Sequence, residues 1–237
     1  MFGVQIASAG EYLGSLKDGP AIAEGYDWSG FYVGAHLGGA WGDGKVNDTD
    51  GGVNPGPFTY SPSGAFGGGT AGYNFQRENL LFGVEADLGY MDLSGGTKIP
   101  SSDPMYHQNI TLDGGLYGDI TGRVGVLVTP ATLIYGKGGF AFYDGEGLQA
   151  TTKTYYSKSG TSTFTGYVVG GGIEHFITDK ISLKVEYLHF GFGDEGGSQT
   201  KARDGGTFDD GTTIGSTFHN KTSLDADSVK AGIAYHF

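Results

Sequence analysis

Cysteine is absent from the 237-residue chain, so neither disulfides nor thiolate metal sites are available to it. Positive charge is scarce: 14 Lys and Arg stand against 26 Asp and Glu, for a formal net charge of -12. That balance argues against general nucleic-acid binding, which needs cations to displace counterions from phosphates. No run of about 18 apolar residues occurs, which leaves no transmembrane helix. A helical period of 3.6 is missing too, since it persists nowhere over a dozen residues. The mean hydropathy of -0.21 resembles that of a soluble protein. Strands that alternate lipid-facing and lumen-facing residues average to the same near-neutral value.

Glycine and aromatic residues are abundant. Glycine accounts for 47 of 237 positions, alongside 15 Tyr and 15 Phe, where about 7% glycine is ordinary. A collagen period is absent, and a disordered glycine-rich linker would not carry thirty aromatic rings. A tightly curved sheet accounts for both: glycine relieves crowding, and aromatic rings anchor at an interface. The length suits one closed all-β domain.

Alternation with period 2 recurs along the chain and predicts eight strands. The first runs from Trp28 to Gly42, with Phe31, Val33, Ala35, Leu37 and Trp41 opposite Tyr32, Gly34, His36 and Gly38. The second covers Ala65 to Arg77. The third, Leu80 to Leu93, sets Phe82, Val84, Ala86, Leu88 and Tyr90 against Glu85 and Asp87. The fourth, near Thr111 to Val128, opposes Leu112, Leu116, Ile120, Val124 and Val126 to Asp113, Tyr117, Asp119, Thr121 and Arg123. The fifth spans Thr132 to Tyr143 with Lys137 on its polar face. The sixth, Ser162 to Thr178, carries Glu174 there. In the seventh, Ile181 to Gly193, Lys184 and Glu186 oppose Leu183, Val185 and Tyr187; in the eighth, Ser223 to Phe237, Lys230 opposes Val229 and Ala231.

The connections discriminate more sharply than the strands. Short links near Gln76–Asn79, Thr129–Ala131 and Asp179–Lys180 alternate with long polar ones near Asp43–Gly64, Ser94–Ile110, Asp144–Thr161 and Asp194–Thr222. Sorting by side in this way marks an up-and-down outer-membrane barrel, with short periplasmic turns and long external loops. The expected fold is therefore all-β: an eight-stranded antiparallel transmembrane barrel over residues 26–237. Two aromatic girdles are expected at its interfaces. One holds Trp28, Phe31, Tyr73, Phe75, Phe82, Tyr235 and Phe237 on the turn side, and the other holds Trp41, Tyr90, Phe142, Tyr167 and Phe190 on the loop side.

On the inner face the pattern gathers Glu85, Asp87, Asp119, Glu174 and Glu186 with Arg123, Lys137, Lys184 and Lys230. An eight-stranded lumen is just wide enough for side chains to fill it, and an unpaired buried ion costs several kcal/mol. A zipped ionic network is therefore expected. Arg123 should bridge Glu85 and a neighbouring acid, and the three lysines should meet Glu174 and Glu186. Such a network acts as a plug that holds register, or as a gate or proton path.

No catalytic, cofactor or metal site is expected. Gly67-Gly68-Gly69-Thr70-Ala71-Gly72 matches G-x-G-x-x-G, but a strand and turn follow it where a dinucleotide site needs a helix. The six histidines (His36, His107, His175, His189, His219, His236) form no His-x-x-x-His pair. A lipid-modifying enzyme would need His107 or His219 with loop serines, and no spacing favours that. Carboxylates in the long loops (Asp43, Asp48, Asp50, Asp194, Glu195, Asp204, Asp209, Asp210) are either solvated, or bind cations bridging lipopolysaccharide, or bind a host ligand. Residues 1–25 lack a signal-peptide core and contain Glu11, Lys17 and Asp18. Ala7-Ser8-Ala9 and Ala21-Ile22-Ala23 resemble cleavage sites, so the segment reads as a periplasmic tail or a signal remnant. If ordered, it would be held by a second copy or an envelope partner.

Tyr26-Asp27-Trp28-Ser29-Gly30-Phe31-Tyr32-Val33-Gly34 resembles the opening strand of the small outer-membrane immunogenic proteins of alphaproteobacteria, within the OmpA/opacity-type superfamily. Gly72-Tyr73-Asn74-Phe75-Gln76 with Phe82-Gly83-Val84-Glu85-Ala86-Asp87 is similar to its second hairpin. Gly122-Arg123-Val124-Gly125 and Ser182-Leu183-Lys184-Val185-Glu186-Tyr187-Leu188 resemble its fourth and seventh strands. The ending Val229-Lys230-Ala231-Gly232-Ile233-Ala234-Tyr235-His236-Phe237 is similar to the terminal assembly signal. The resemblance implies insertion by the barrel-assembly machinery, which would read Tyr235 and Phe237. It also implies surface exposure and, in some members, a porin label. The expected role is a non-enzymatic envelope barrel surrounded by lipopolysaccharide and outer-membrane lipids, with a narrow porin or an adhesin as the alternatives.

Overall fold

A backbone in lipid must satisfy its own hydrogen bonds, and strands do so only by closing on themselves. The computed structural model describes residues 26–48, 58–99, 108–112, 114–145, 149–151, 156–157, 162–200 and 217–237. Eight long strands make the wall. These are β1 (Gly30–Asp48), β2 (Ser63–Arg77), β3 (Leu80–Ile99), β4 (Gly115–Thr129), β5 (Thr132–Gly145), β6 (Ser162–Phe176), β7 (Ile181–Thr200) and β8 (Thr217–His236). Each is antiparallel to its sequence neighbours, and β1 pairs with β8 to close the cylinder. The eight-stranded antiparallel barrel is the expected fold.

The closure has a definite stagger. Followed pair to pair, Tyr32 meets Gly72, then Glu85, Thr121, Gly139, Val168, Phe190 and Ala226, and returns to β1 at Gly42, ten residues farther on. Ten residues at about 3.3 Å each, over eight strand spacings of about 4.8 Å, tilt the strands by roughly 40°. The outward run from Phe31 to Trp41 then rises about 25 Å, the height of a membrane barrel's apolar band. Its residues are exposed, Phe31 by 67% and Leu37 by 71%, as is Ile120 by 68%.

The turns between β2 and β3, β4 and β5, and β6 and β7 are short and share one end of the barrel. Between β2 and β3, Glu78 takes a φ of 56°, which lets Arg77 pair directly with Leu80. Beyond the other end the strands run farther than the alternation predicts: β1 to Asp48, β3 to Ile99, β7 to Thr200, and β8 from Thr217. In water the outer face no longer has to be apolar, so the pattern fades while the ladder continues. Thr111 and Leu112 do not start β4. They lie in a separate strand, Gln108–Leu112, which pairs with Gly95–Ile99 of β3.

Two aromatic assignments are corrected. Trp28 is fully buried at the turn end of the lumen, where its Nε1 donates to the Pro130 carbonyl at 3.0 Å. Residue 28 precedes β1 but shares the parity of Tyr32 and His36, which also face inward. Phe190 is also buried, because it shares the parity of Lys184 and Glu186. The other turn-side girdle residues and Trp41, Tyr90 and Tyr167 face outward, while Phe142 is half-buried.

An ion-paired lumen as the candidate functional site

Three layers fill the interior. The turn end holds an apolar cluster of Trp28, Leu81, Leu127, Leu133, Tyr135 and Phe176. Towards the loops a larger cluster includes Phe66, Tyr117, Tyr143, Phe164, Phe190 and Phe192. Between them lies a charged belt to which β3 through β8 supply ions, and β1 and β2 supply polar partners.

Arg123 Nη1 lies 3.0 Å from Glu174 Oε2 and 3.5 Å from Glu85 Oε2, while its Nε donates to Asn74 Oδ1 at 2.9 Å. Its guanidinium sits over the Tyr32 and Tyr135 rings, 4.6 and 5.2 Å from their centroids. Lys137 Nζ reaches Glu85 at 2.5 Å, Asp87 at 3.3 Å and Glu186 at 3.4 Å. Lys184 pairs with Glu85 at 2.8 Å and Glu186 at 3.7 Å; Lys230 pairs with Asp87 and, at 2.9 Å, with Glu186. All of these side chains are buried.

Glu174 departs from the expected pairing. It lies directly across the ladder from Lys184, yet it receives Arg123, the Ser182 hydroxyl at 2.5 Å and His236 Nε2 at 3.3 Å. Register does not choose these partners, because long side chains cross the lumen instead. Arg123 and Lys137 face one another on β4 and β5, a repulsive placement, which is offset by the Glu85 carboxylate they share and by separate further acids, Glu174 for Arg123 and Asp87 and Glu186 for Lys137.

Glycine supplies the room. A Cβ on Gly83 would come within 3.2 Å of Arg123 Cγ, and one on Gly232 within 3.2 Å of Lys184 Cγ.

Asp119 is buried opposite Asp87, and among the described residues neither of its carboxylate oxygens has a hydrogen-bond partner. Sequence reasoning missed the neutral members: the Tyr32 hydroxyl donates to Glu85 at 2.7 Å, Tyr135 to Glu186 at 2.9 Å and Thr70 to Asp87 at 2.5 Å. His36 lies between Thr70 and the Tyr117 hydroxyl. All share the parity of the charged residues, which was the available signal.

Glu85, Asp87 and Glu186 bring three oxygens within 4.8 Å of one another, as metal ligands would be. The Lys137 ammonium stands among all three and takes the place a cation would occupy. Gly67–Gly72 lies inside β2, in a hairpin with no following helix. His107 and the loop carboxylates Asp50, Asp204, Asp209 and Asp210 fall outside the described residues; Asp43 accepts a hydrogen bond from Ser61 at 3.1 Å. Tyr235 and Phe237 sit on the outer wall at the turn end, their rings 5.2 Å apart and edge-on.

A charged interior inside an apolar wall is the reverse of a soluble protein, and it points to a lipid surround. A family model described as an outer membrane protein beta-barrel domain matches residues 19–237. The chain belongs to this family. Its place is the outer membrane. The 22 kDa outer membrane protein of Rhizobium leguminosarum bv. viciae is 31% identical over 211 residues, covering 89% of this chain and 78% of that protein. The 25 kDa outer-membrane immunogenic protein of Brucella abortus is 30% identical over 218 residues, covering 91% and 82%. The first is named as an outer membrane protein and the second as an immunogenic one. Among solved structures, the outer membrane protein OprG of Pseudomonas aeruginosa aligns with a TM-score of 0.56, over 90% of this chain and 98% of that one. At 11% identity this is a likeness of fold alone.

Proposed function

We infer that the chain is a closed, non-catalytic barrel that supports the envelope and displays its long loops outside the cell. The observation that carries this reading is the belt: every buried Lys or Arg in it has a carboxylate within 3.0 Å. Apolar clusters lie above and below it. Water-filled channels belong to much wider barrels, and an eight-stranded lumen is filled by its own side chains. In this reading the belt is a plug. It also fixes register, because a slip of one residue in any of the six charged strands would turn that strand's one or two charges into lipid.

The short turns and both termini face the periplasm, following the length asymmetry of such barrels. The partners are lipopolysaccharide and the other lipids around the wall, with the barrel-assembly machinery reading Tyr235 and Phe237 during insertion. The 1–25 segment, outside the described residues, is the part available to an envelope partner or a second copy.

The test is genetic. Deleting the gene is expected to sensitise cells to detergent, and the wild-type chain restores resistance. Unchanged resistance after deletion would remove the envelope role.

A further inference from the structure

The wall has a notch. On β7 three residue steps from Phe192 to Glu195 face only two on β8, from Leu224 to Thr222, so β7 bulges there. A bulge bends its strand. The ladder between β6 and β7 ends at Gly166–Phe192. Beyond it, Ser162–Thr165 stay paired with β5, and β7 continues on β8 alone. A groove of about 510 Å³ occupies the parting, within the size range of small-ligand sites.

The lining is amphipathic. Phe140 and Tyr167, both more than half exposed, form apolar walls at the loop-side edge of the band. Gly191 and Gly193 leave the floor without side chains, and Asp225 stands at the rim. Asp225 is exposed and, among the described residues, has no hydrogen-bond or ion-pair partner. It faces Asp43 directly across β1 and β8, a like-charge placement that favours a cation between or beside them. The next outward carboxylate, Asp227, is satisfied by the Tyr187 hydroxyl at 2.7 Å and by His189 Nδ1 at 2.9 Å. The open carboxylate is therefore the one at the groove.

We propose that this notch binds a membrane amphiphile with a cationic headgroup: its alkyl chain lies along Phe140 and Tyr167 over the glycine floor, and its ammonium meets Asp225. The surround fixes the occupant's class, because the groove opens at the height where acyl chains give way to headgroups. The site is on the outer wall, so it stands whether or not the lumen conducts.

A tryptophan reports on it. Trp41 is exposed on β1, directly across from Asp227, while Trp28, the other of two, is buried at the opposite end. The experiment titrates purified barrel in neutral maltoside micelles with a chain-brominated alkyltrimethylammonium and follows Trp41 quenching, with Trp41→Phe as the blank. The expected result is saturable quenching, reversed by the unbrominated compound and not by an alkyl sulfate of equal chain length. Gly193→Leu fills the groove, and its Cβ has open space, the nearest atom being the Thr165 carbonyl oxygen at 4.0 Å. That variant should lose saturable binding, and Asp225→Asn should weaken it about tenfold. Heat-modifiable gel mobility verifies that each variant is folded. Unsaturating quenching, equal competition by the sulfate, or undiminished affinity in folded Gly193→Leu would each overturn the proposal.

Discussion

The two faces of the same strands obey opposite rules. Outward, Phe82, Val84, Leu88, Ile120 and Val124 are exposed on the wall of an outer-membrane barrel, where lipid demands only hydrophobicity, so any side chain of similar hydrophobicity serves. Inward, one or two residues away, Glu85, Asp87 and Arg123 each have named partners at hydrogen-bond range. The outer face therefore tolerates change of shape and rejects charge, while the inner face requires charge and rejects change of partner. Neither rule is about net stability alone. A buried ion network roughly breaks even against well-packed hydrophobic residues, and its loss is costly only when one partner is left behind.

That contrast can be broken in order of cost. Glu85→Ala strips a carboxylate from Arg123, Lys137 and Lys184 together. It should destabilise the barrel by about 3–5 kcal/mol, read as a fall in the urea midpoint of refolding into vesicles. Ile120→Arg puts a charge on the lipid face and should cost about 2–4 kcal/mol in the same assay. Removing both ends of one pair, Arg123→Met with Glu174→Gln, should cost less than the two single changes combined, by about 0.5–3 kcal/mol in a double-mutant cycle. Val124→Ile, which keeps the outer face apolar, should stay within about 0.5 kcal/mol of wild type. If Val124→Ile cost as much as Glu85→Ala, the two faces would not differ as described.

Much of this was legible in the sequence, for a physical reason. Leu80–Tyr90 alternates cleanly because lipid on one side and a narrow lumen on the other both punish the wrong residue. The same alternation gathered the nine lumen ions. What it did not reveal was which ions meet. That depends on the ten-residue stagger and on the reach of lysine and arginine across the lumen, and it explains why Glu174 joins Arg123 instead of its ladder neighbour Lys184. Phe190 was misplaced although its parity matched Glu186, because an aromatic near a strand end suits a girdle as well as a core. The bulge after Phe192 left no trace in composition beyond a glycine at 193, in a chain with 47 of them.

Single-molecule electrical recording decides the main point. Purified protein inserted into a planar lipid bilayer under a holding potential should give a quiet baseline if the belt plugs the lumen as proposed. Sustained, ion-selective current steps from the wild-type chain would contradict the account.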